Sequence, residues 1–240
     1  MFGYFKTQEI SFIVYQMGKV GSSTIRHGLE KAYGNKRVLH THNHEEAKET
    51  IDKWSRRFDA VIVITGFREP LGRCISAYFQ NLTNENNHWY VGPQEEVMGK
   101  SIDWLIDDYN AKVVPHIHRV IDPWLANYER IVNCRLSEFG EAEGCRKASL
   151  GNVHFYIYKL ETLTEFHRGM ADDDFLNKVR IANSNASNDK WYAGIYRDFK
   201  KQYRISRNNY DDIYGNIGFV RRLYDEHEIR RLTKSFVVDS

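Results

Sequence analysis

Apolar and polar residues fall in blocks along this chain. Four short runs are rich in β-branched and aromatic side chains: residues 11–16, 37–41, 60–65 and 153–158. Their length and composition predict strands. Val61-Ile62-Val63-Ile64 is continuous rather than alternating, as expected of a central parallel strand buried on both faces. Between the runs, apolar residues recur at helical spacing. Ile25, Leu29, Ala32 and Tyr33 follow the first run, and Leu71, Ile75, Tyr78, Phe79 and Leu82 follow the third. Strands alternating with helices predict a three-layer α/β fold with a central parallel sheet flanked by helices. No internal repeat, low-complexity tract or Pro/Gly/Ser-rich linker interrupts the chain, so one domain over 1–240 is expected.

In such sheets ligands gather at the C-terminal ends of strands, and the candidate chemistry sits there. The first run leads into Gln16-Met17-Gly18-Lys19-Val20-Gly21-Ser22-Ser23-Thr24 and then into the first helical pattern. A strand, a glycine-containing loop and a helix N-terminus together make an anion site, because backbone N–H groups and the positive dipole end converge. Gly18 and Gly21 permit the sharp turn. Ser22, Ser23 and Thr24 add hydroxyls, and Lys19 adds a positive charge. This is not a Walker A loop, which places Lys directly before the Ser/Thr; here Lys19 precedes Gly21.

The second run continues as His40-Thr41-His42-Asn43-His44. If the chain stays extended, the three histidines point to one side. They can serve as a general base, as metal ligands, or as hydrogen-bonded polar residues at a strand end. The third run leads into Arg68-Glu69-Pro70, with Pro70 suited to the first turn of a helix. On that helix Arg73, Ser76 and Gln80 fall opposite the apolar stripe. Arg68 can grip a phosphate with two parallel hydrogen bonds, or pair with Glu69 or solvent.

Bulk composition narrows the partners. The 240 residues are 42% hydrophobic and 28% charged, ordinary for a globular protein with a sizeable core. Fifteen Tyr, 13 Phe and 5 Trp suit a packed core and a sugar-binding cleft. A net charge of +2 does not point to nucleic acid. No apolar run is long enough to span a membrane. The first residues lack a basic and then a long apolar stretch, so no signal peptide is expected. Cys74, Cys134 and Cys145 form no CxxC, and reduced thiols in a cytoplasm are the default, with a Cys134–Cys145 pair as the alternative.

Taken in series, these segments resemble the sulfotransferases that use 3'-phosphoadenosine 5'-phosphosulfate (PAPS). Lys19-Val20-Gly21-Ser22-Ser23-Thr24 resembles their 5'-phosphosulfate loop. Arg68 and Ser76, eight residues apart after a β-branched strand, resemble their 3'-phosphate element. His40-Thr41-His42 is similar to the strand end that supplies the base, and to the paired histidines of uronyl 2-O-sulfotransferases. Tyr158-Lys159-Leu160-Glu161 resembles a closing segment whose carboxylate is mostly structural. Asn188-Asp189-Lys190-Trp191-Tyr192-Ala193 resembles the Asn-Lys-Trp-Tyr signature of a bacterial family of capsular polysaccharide synthesis proteins within that superfamily. The Arg-Lys-Gly loop of the cytosolic members is missing, and Lys190, Ser184 or Asn185 would take its place.

The resemblance implies a P-loop-type fold and a PAPS-dependent transfer of sulfonate to a hydroxyl of a carbohydrate or glycoside acceptor, without a metal. It makes His42 the base, with His40 assisting, and gives Lys19 the charge that grows on the leaving oxygen. It assigns the donor to Lys19, Val20, Gly21, Ser22, Ser23, Thr24, Arg68, Ser76 and Lys190. Glu161, His116 and His118 are lesser candidates for the base, and Trp104, Trp124 and Tyr128 are read as core before sugar platforms. Two alternatives stay open: a divergent P-loop kinase or NTPase, which would need Mg²⁺ and a carboxylate to hold it, and a non-catalytic nucleotide- or glycan-binding relative.

Overall fold

The computed structural model describes residues 9–181, 190–216 and 218–237. They fall into two compact units, one built from 1–67 and 127–185, the other from 68–126 and 186–240.

The first unit is α/β, a six-stranded mixed sheet flanked by helices. Its strands are β1 (Ile10–Tyr15), β2 (Val38–Thr41), β3 (Ala60–Phe67), β4 (Gly140–Ala142), β5 (Cys145–Leu150) and β6 (Val153–Lys159), in the order β2-β1-β3-β6-β5-β4. The four apolar runs form the parallel part, β2-β1-β3-β6. An antiparallel hairpin, β4–β5, completes the edge beside β6. The sheet is therefore mixed, where the sequence pattern implies a parallel one. The hairpin escapes that pattern because β5 is Cys-Arg-Lys-Ala-Ser-Leu, a half-exposed strand with little apolar alternation.

β1 and β3 lie at the centre of the parallel set, and every residue of β3 is buried. Continuous β-branched sequence is what a strand covered on both faces requires. α1 (Ser22–Tyr33) lays Ile25 and Leu29 on one face, against Phe12, Val14, Ile62, Ile64, Tyr156 and Tyr158. Side chains alternate along a strand, so Tyr15 and Phe67 are free to meet Tyr128, with ring centroids 6.1 and 6.2 Å away. α2 (His44–Trp54) follows β2 and buries Ala47 and Ile51.

The described part of the second unit is helical. It begins with α3 (Pro70–Asn81), which has Pro70 in its first turn as expected. Its core is aromatic: Tyr78, Phe79, Tyr109, Phe199 and Tyr203 are all fully buried. Phe199 lies 5.1 Å from Phe79, 5.6 Å from Tyr109 and 5.2 Å from Tyr203 between centroids. Such pairs contribute roughly 0.5–1.5 kcal/mol each beyond the area they bury. The helix Ala193–Gln202 is buried along Tyr192, Tyr196, Phe199 and Tyr203, while Trp191 and Ile195 are only half-buried. Its inward face is thus turned one position from the Trp191-Ile195-Phe199 stripe that the sequence suggests.

Cys74, Cys134 and Cys145 are free thiols. Among the described residues no helix is long and apolar enough to cross a membrane.

Candidate functional site

β1 and β2 end level with each other, Tyr15 paired with Thr41. The residues that leave the sheet next, Gln16 and His42, therefore emerge side by side. The Gln16 amide donates to the Thr41 carbonyl at 3.3 Å, and the His42 imidazole turns back so that Nδ1 lies 2.5 Å from the Gln16 carbonyl. A carbonyl can only accept, so Nδ1 carries the proton and Nε2 is left as the basic nitrogen. His42 is exposed, and its Cε1 lies 3.7 Å from where a Cβ on Gly18 would sit. The second strand's histidine is thus beside the glycine loop that follows the first.

That loop is wound unusually tightly. Gly18, Lys19 and Gly21 all have positive φ, +81°, +64° and +82°. Lys19 and Asn133 are the two non-glycine residues with positive φ among the described residues. A side chain held in the left-handed region is strained, and such strain clusters at functional sites. Backbones of this kind form concavities lined by N–H groups. The loop delivers the chain into α1, whose first turn has no side-chain cap and no acidic residue. By contrast, Asn43 caps α2, Glu69 caps α3 and Asp225 caps the helix Glu226–Thr233. The positive end of the α1 dipole is thus offset by no carboxylate in its first turn. Ser22 and Thr24 are buried and Ser23 is half-buried there.

Three residues that the sequence did not single out hold the loop. Tyr158, on β6, donates its hydroxyl to the Val20 carbonyl at 2.7 Å. Burial raises the pKa of that hydroxyl well above its ordinary value, so it stays a donor. The ring fits because its cross-strand partner is Gly66; a Cβ there would lie 2.6 Å from Cζ and from the hydroxyl oxygen. Gln16 is fully buried, its Oε1 is 3.4 Å from the Tyr158 hydroxyl, and its Nε2 has no partner among the described residues. An orphaned buried amide at the root of a glycine loop fits a site for a polar ligand.

His40 is the neighbour of His42, with centroids 4.9 Å apart and rings edge to face. Burial, then the His42 and Arg26 charges, push its pKa down to about 4. It is neutral at physiological pH and packs against His42. His44 is not on that strand face. The chain turns at Asn43, which caps α2, and His44 opens the helix with Nδ1 hydrogen-bonded to the Tyr15 hydroxyl. The helix begins at His44, so the expected row of three histidines is a pair.

Arg68, Ser76 and Lys190 belong to the second unit. Arg68 precedes α3 and lies against Gly72, where a Cβ would be 3.5 Å from its Nη2. Glu69 is buried and committed to structure: Oε1 accepts from the Leu71 amide at 2.6 Å, Oε2 accepts from the Gly72 amide at 2.7 Å, and the Tyr214 hydroxyl also donates to Oε1. Ser76 is half-buried on α3, and Lys190 is exposed. Arg73, expected on the polar face, is buried, and Gln80 is exposed as expected. Ser184 and Asn185 lie outside the described residues. Glu161, His116 and His118 are half-buried. Among the described residues no group of three or more His, Cys, Asp or Glu side chains is arranged to hold a metal ion.

Comparison with protein-family models, with curated proteins and with solved structures gave no match.

Proposed function

We propose that this chain is a PAPS-dependent sulfotransferase acting on a hydroxyl of a carbohydrate, built on a P-loop-type α/β fold. The observation that carries the reading is the contact of His42 with the loop. A histidine whose Nδ1 proton is engaged by Gln16, and whose Nε2 is therefore basic, stands beside a left-handed glycine loop at an uncapped helix N-terminus. A base next to an anion cradle is what transfer of an anionic group to a hydroxyl needs.

The donor supplies a sulfonate joined to phosphate. The backbone of 18–24 and the hydroxyls of Ser22, Ser23 and Thr24 would hold its phosphosulfate end, with the buried Gln16 amide available to the same ligand. His42 Nε2 would take the proton of the acceptor hydroxyl, and its exposure leaves room for a bulky acceptor. Lys19 would neutralise the charge that grows on the leaving oxygen, a contact stronger in the transition state than in the ground state. His40 would keep His42 in place without competing for the proton. For the 3'-phosphate the proposal keeps Arg68, Ser76 and Lys190 on the sequence motif. Against the kinase alternative, the carboxylate that follows β3, Glu69, is engaged by two amides and Tyr214.

The test is transfer of radiolabelled sulfonate from PAPS to a panel of neutral and acidic oligosaccharides, without added metal. Label should appear in an acceptor with wild-type protein and fall by about a hundredfold or more with His42→Ala. Transfer of the γ-phosphate of Mg²⁺·ATP to the same panel, with none from PAPS, would overturn the proposal.

A further inference from the structure

The helices Arg207–Asn216, Gly218–Leu223 and Glu226–Thr233 line a cavity of about 1220 Å³ in the second unit. Its lining comes from residues 207–237, and nothing in the proposed transfer uses it. The volume exceeds the roughly 300–1,000 Å³ that serve drug-sized ligands. It suits several linked rings rather than one.

The wall carries both signs of charge. Arg207 pairs with Asp211 at 3.0 Å and Arg230 with Glu226 at 2.6 Å, while Asp225 caps its helix by accepting from the Glu228 amide at 2.7 Å. Arg221, Arg231 and Lys234 also line the cavity, are exposed, and are engaged by no ion pair or hydrogen bond among the described residues. Three cations are thus left over for an anionic ligand. The rings are on the same wall. Tyr210 is half-buried, 4.6 Å from Tyr214 between centroids, and the Arg207 guanidinium lies over its ring at 5.5 Å, so ring and cation form one surface.

We infer that this cavity binds an acidic oligosaccharide. Guanidinium groups take the acid groups in bidentate pairs. Asp211, Asp225 and Glu226 offset part of the positive charge of the wall, which favours sparse acid groups over a phosphate at every residue. Sugar hydroxyls instead donate to carboxylates. Tyr214 also donates to Glu69, the cap of α3, so the cavity floor is tied to the helix that carries Ser76. The role of the ligand as acceptor rests on the sulfonate-transfer reading; its binding does not.

The experiment is calorimetry on the full chain without donor. The probes are a tetrasaccharide of alternating glucuronate and N-acetylglucosamine, a neutral N-acetylglucosamine tetramer, and a short single-stranded oligodeoxynucleotide. The acidic tetrasaccharide should bind at least about tenfold more tightly than either other probe. An Arg221→Gln/Arg231→Gln variant should lose at least about tenfold, and Lys234→Gln, made separately, should lose severalfold. Equal affinity for acidic and neutral tetramers, undiminished binding in both variants, or tighter binding of the oligonucleotide would overturn the inference. Adenosine 3',5'-bisphosphate, titrated alone, keeps the two readings apart. If the acidic tetramer binds and the bisphosphate does not, the transfer reading fails and this site stands; the reverse result removes this site alone.

Discussion

His42 donates its Nδ1 proton to the backbone carbonyl of Gln16 across 2.5 Å. The bond spans the ends of two adjacent parallel strands, and it fixes both the tautomer and the direction of the ring. Changing His42 to Asn can keep a side-chain donor near Gln16 while removing the basic nitrogen. His42→Asn should therefore fold normally, within about 1 kcal/mol of wild type by urea denaturation. It should nevertheless lose turnover by about a hundredfold or more. Equal losses in stability and turnover would reduce His42 to a structural residue.

Lys19 holds a φ of +64°. Glycine takes that conformation without strain. Lys19→Gly should then match or exceed wild-type stability by up to about 1 kcal/mol, whereas Lys19→Ala should not. Both should lose about a hundredfold or more in turnover, because the charge is gone. Thermal unfolding and label transfer, measured on the same samples, separate the two effects.

Tyr158 and Gly66 are cross-strand partners that share one space. Tyr158→Phe removes the hydroxyl that holds the Val20 carbonyl and should cost about 1 kcal/mol of stability. Gly66→Ala pushes the ring away and should cost about 1–3 kcal/mol. Each should weaken donor binding more than acceptor binding, since each releases the loop. Unchanged donor affinity in both variants would show that the loop does not depend on this support.

His40 links stability to pH. Its pKa falls from 6.5 in the free side chain to about 4 in the fold, first through burial. The unfolded chain therefore takes up a proton that the folded one refuses, and stability is lost as pH falls from about 6.5 towards about 4. Above pH 7 the effect vanishes. The drop in melting temperature between pH 7 and pH 5 should be smaller in His40→Gln than in wild type. An identical drop in both would remove His40 from the account.

Much of the first unit was legible because its strands are extreme in composition. Val61-Ile62-Val63-Ile64 admits little but a doubly covered strand, and β1, β2 and β6 follow the same pattern within a residue or two. The β4–β5 hairpin was not, because a half-exposed edge strand leaves no apolar alternation to read. In the site, the loop and the His40–His42 pair were visible as residue types at strand ends. His44 was misjudged because the strand stops where Asn43 begins a helix cap, a competition between extension and capping. Gln16, Tyr158 and Gly66 were invisible as site residues. Their roles arise from strand register, which puts Gly66 beside Tyr158 and brings Gln16, 142 positions from Tyr158, into contact with it.

The most direct measurement is calorimetric titration with adenosine 3',5'-bisphosphate, beside ATP with and without Mg²⁺. The account predicts metal-independent binding of the bisphosphate in the micromolar range, weakened by about tenfold or more in Arg68→Ala as a charged hydrogen bond is lost. Tight binding of Mg²⁺·ATP with no response to the bisphosphate would contradict it in favour of phosphoryl transfer, and no binding of either would leave a protein that does not handle the donor at all.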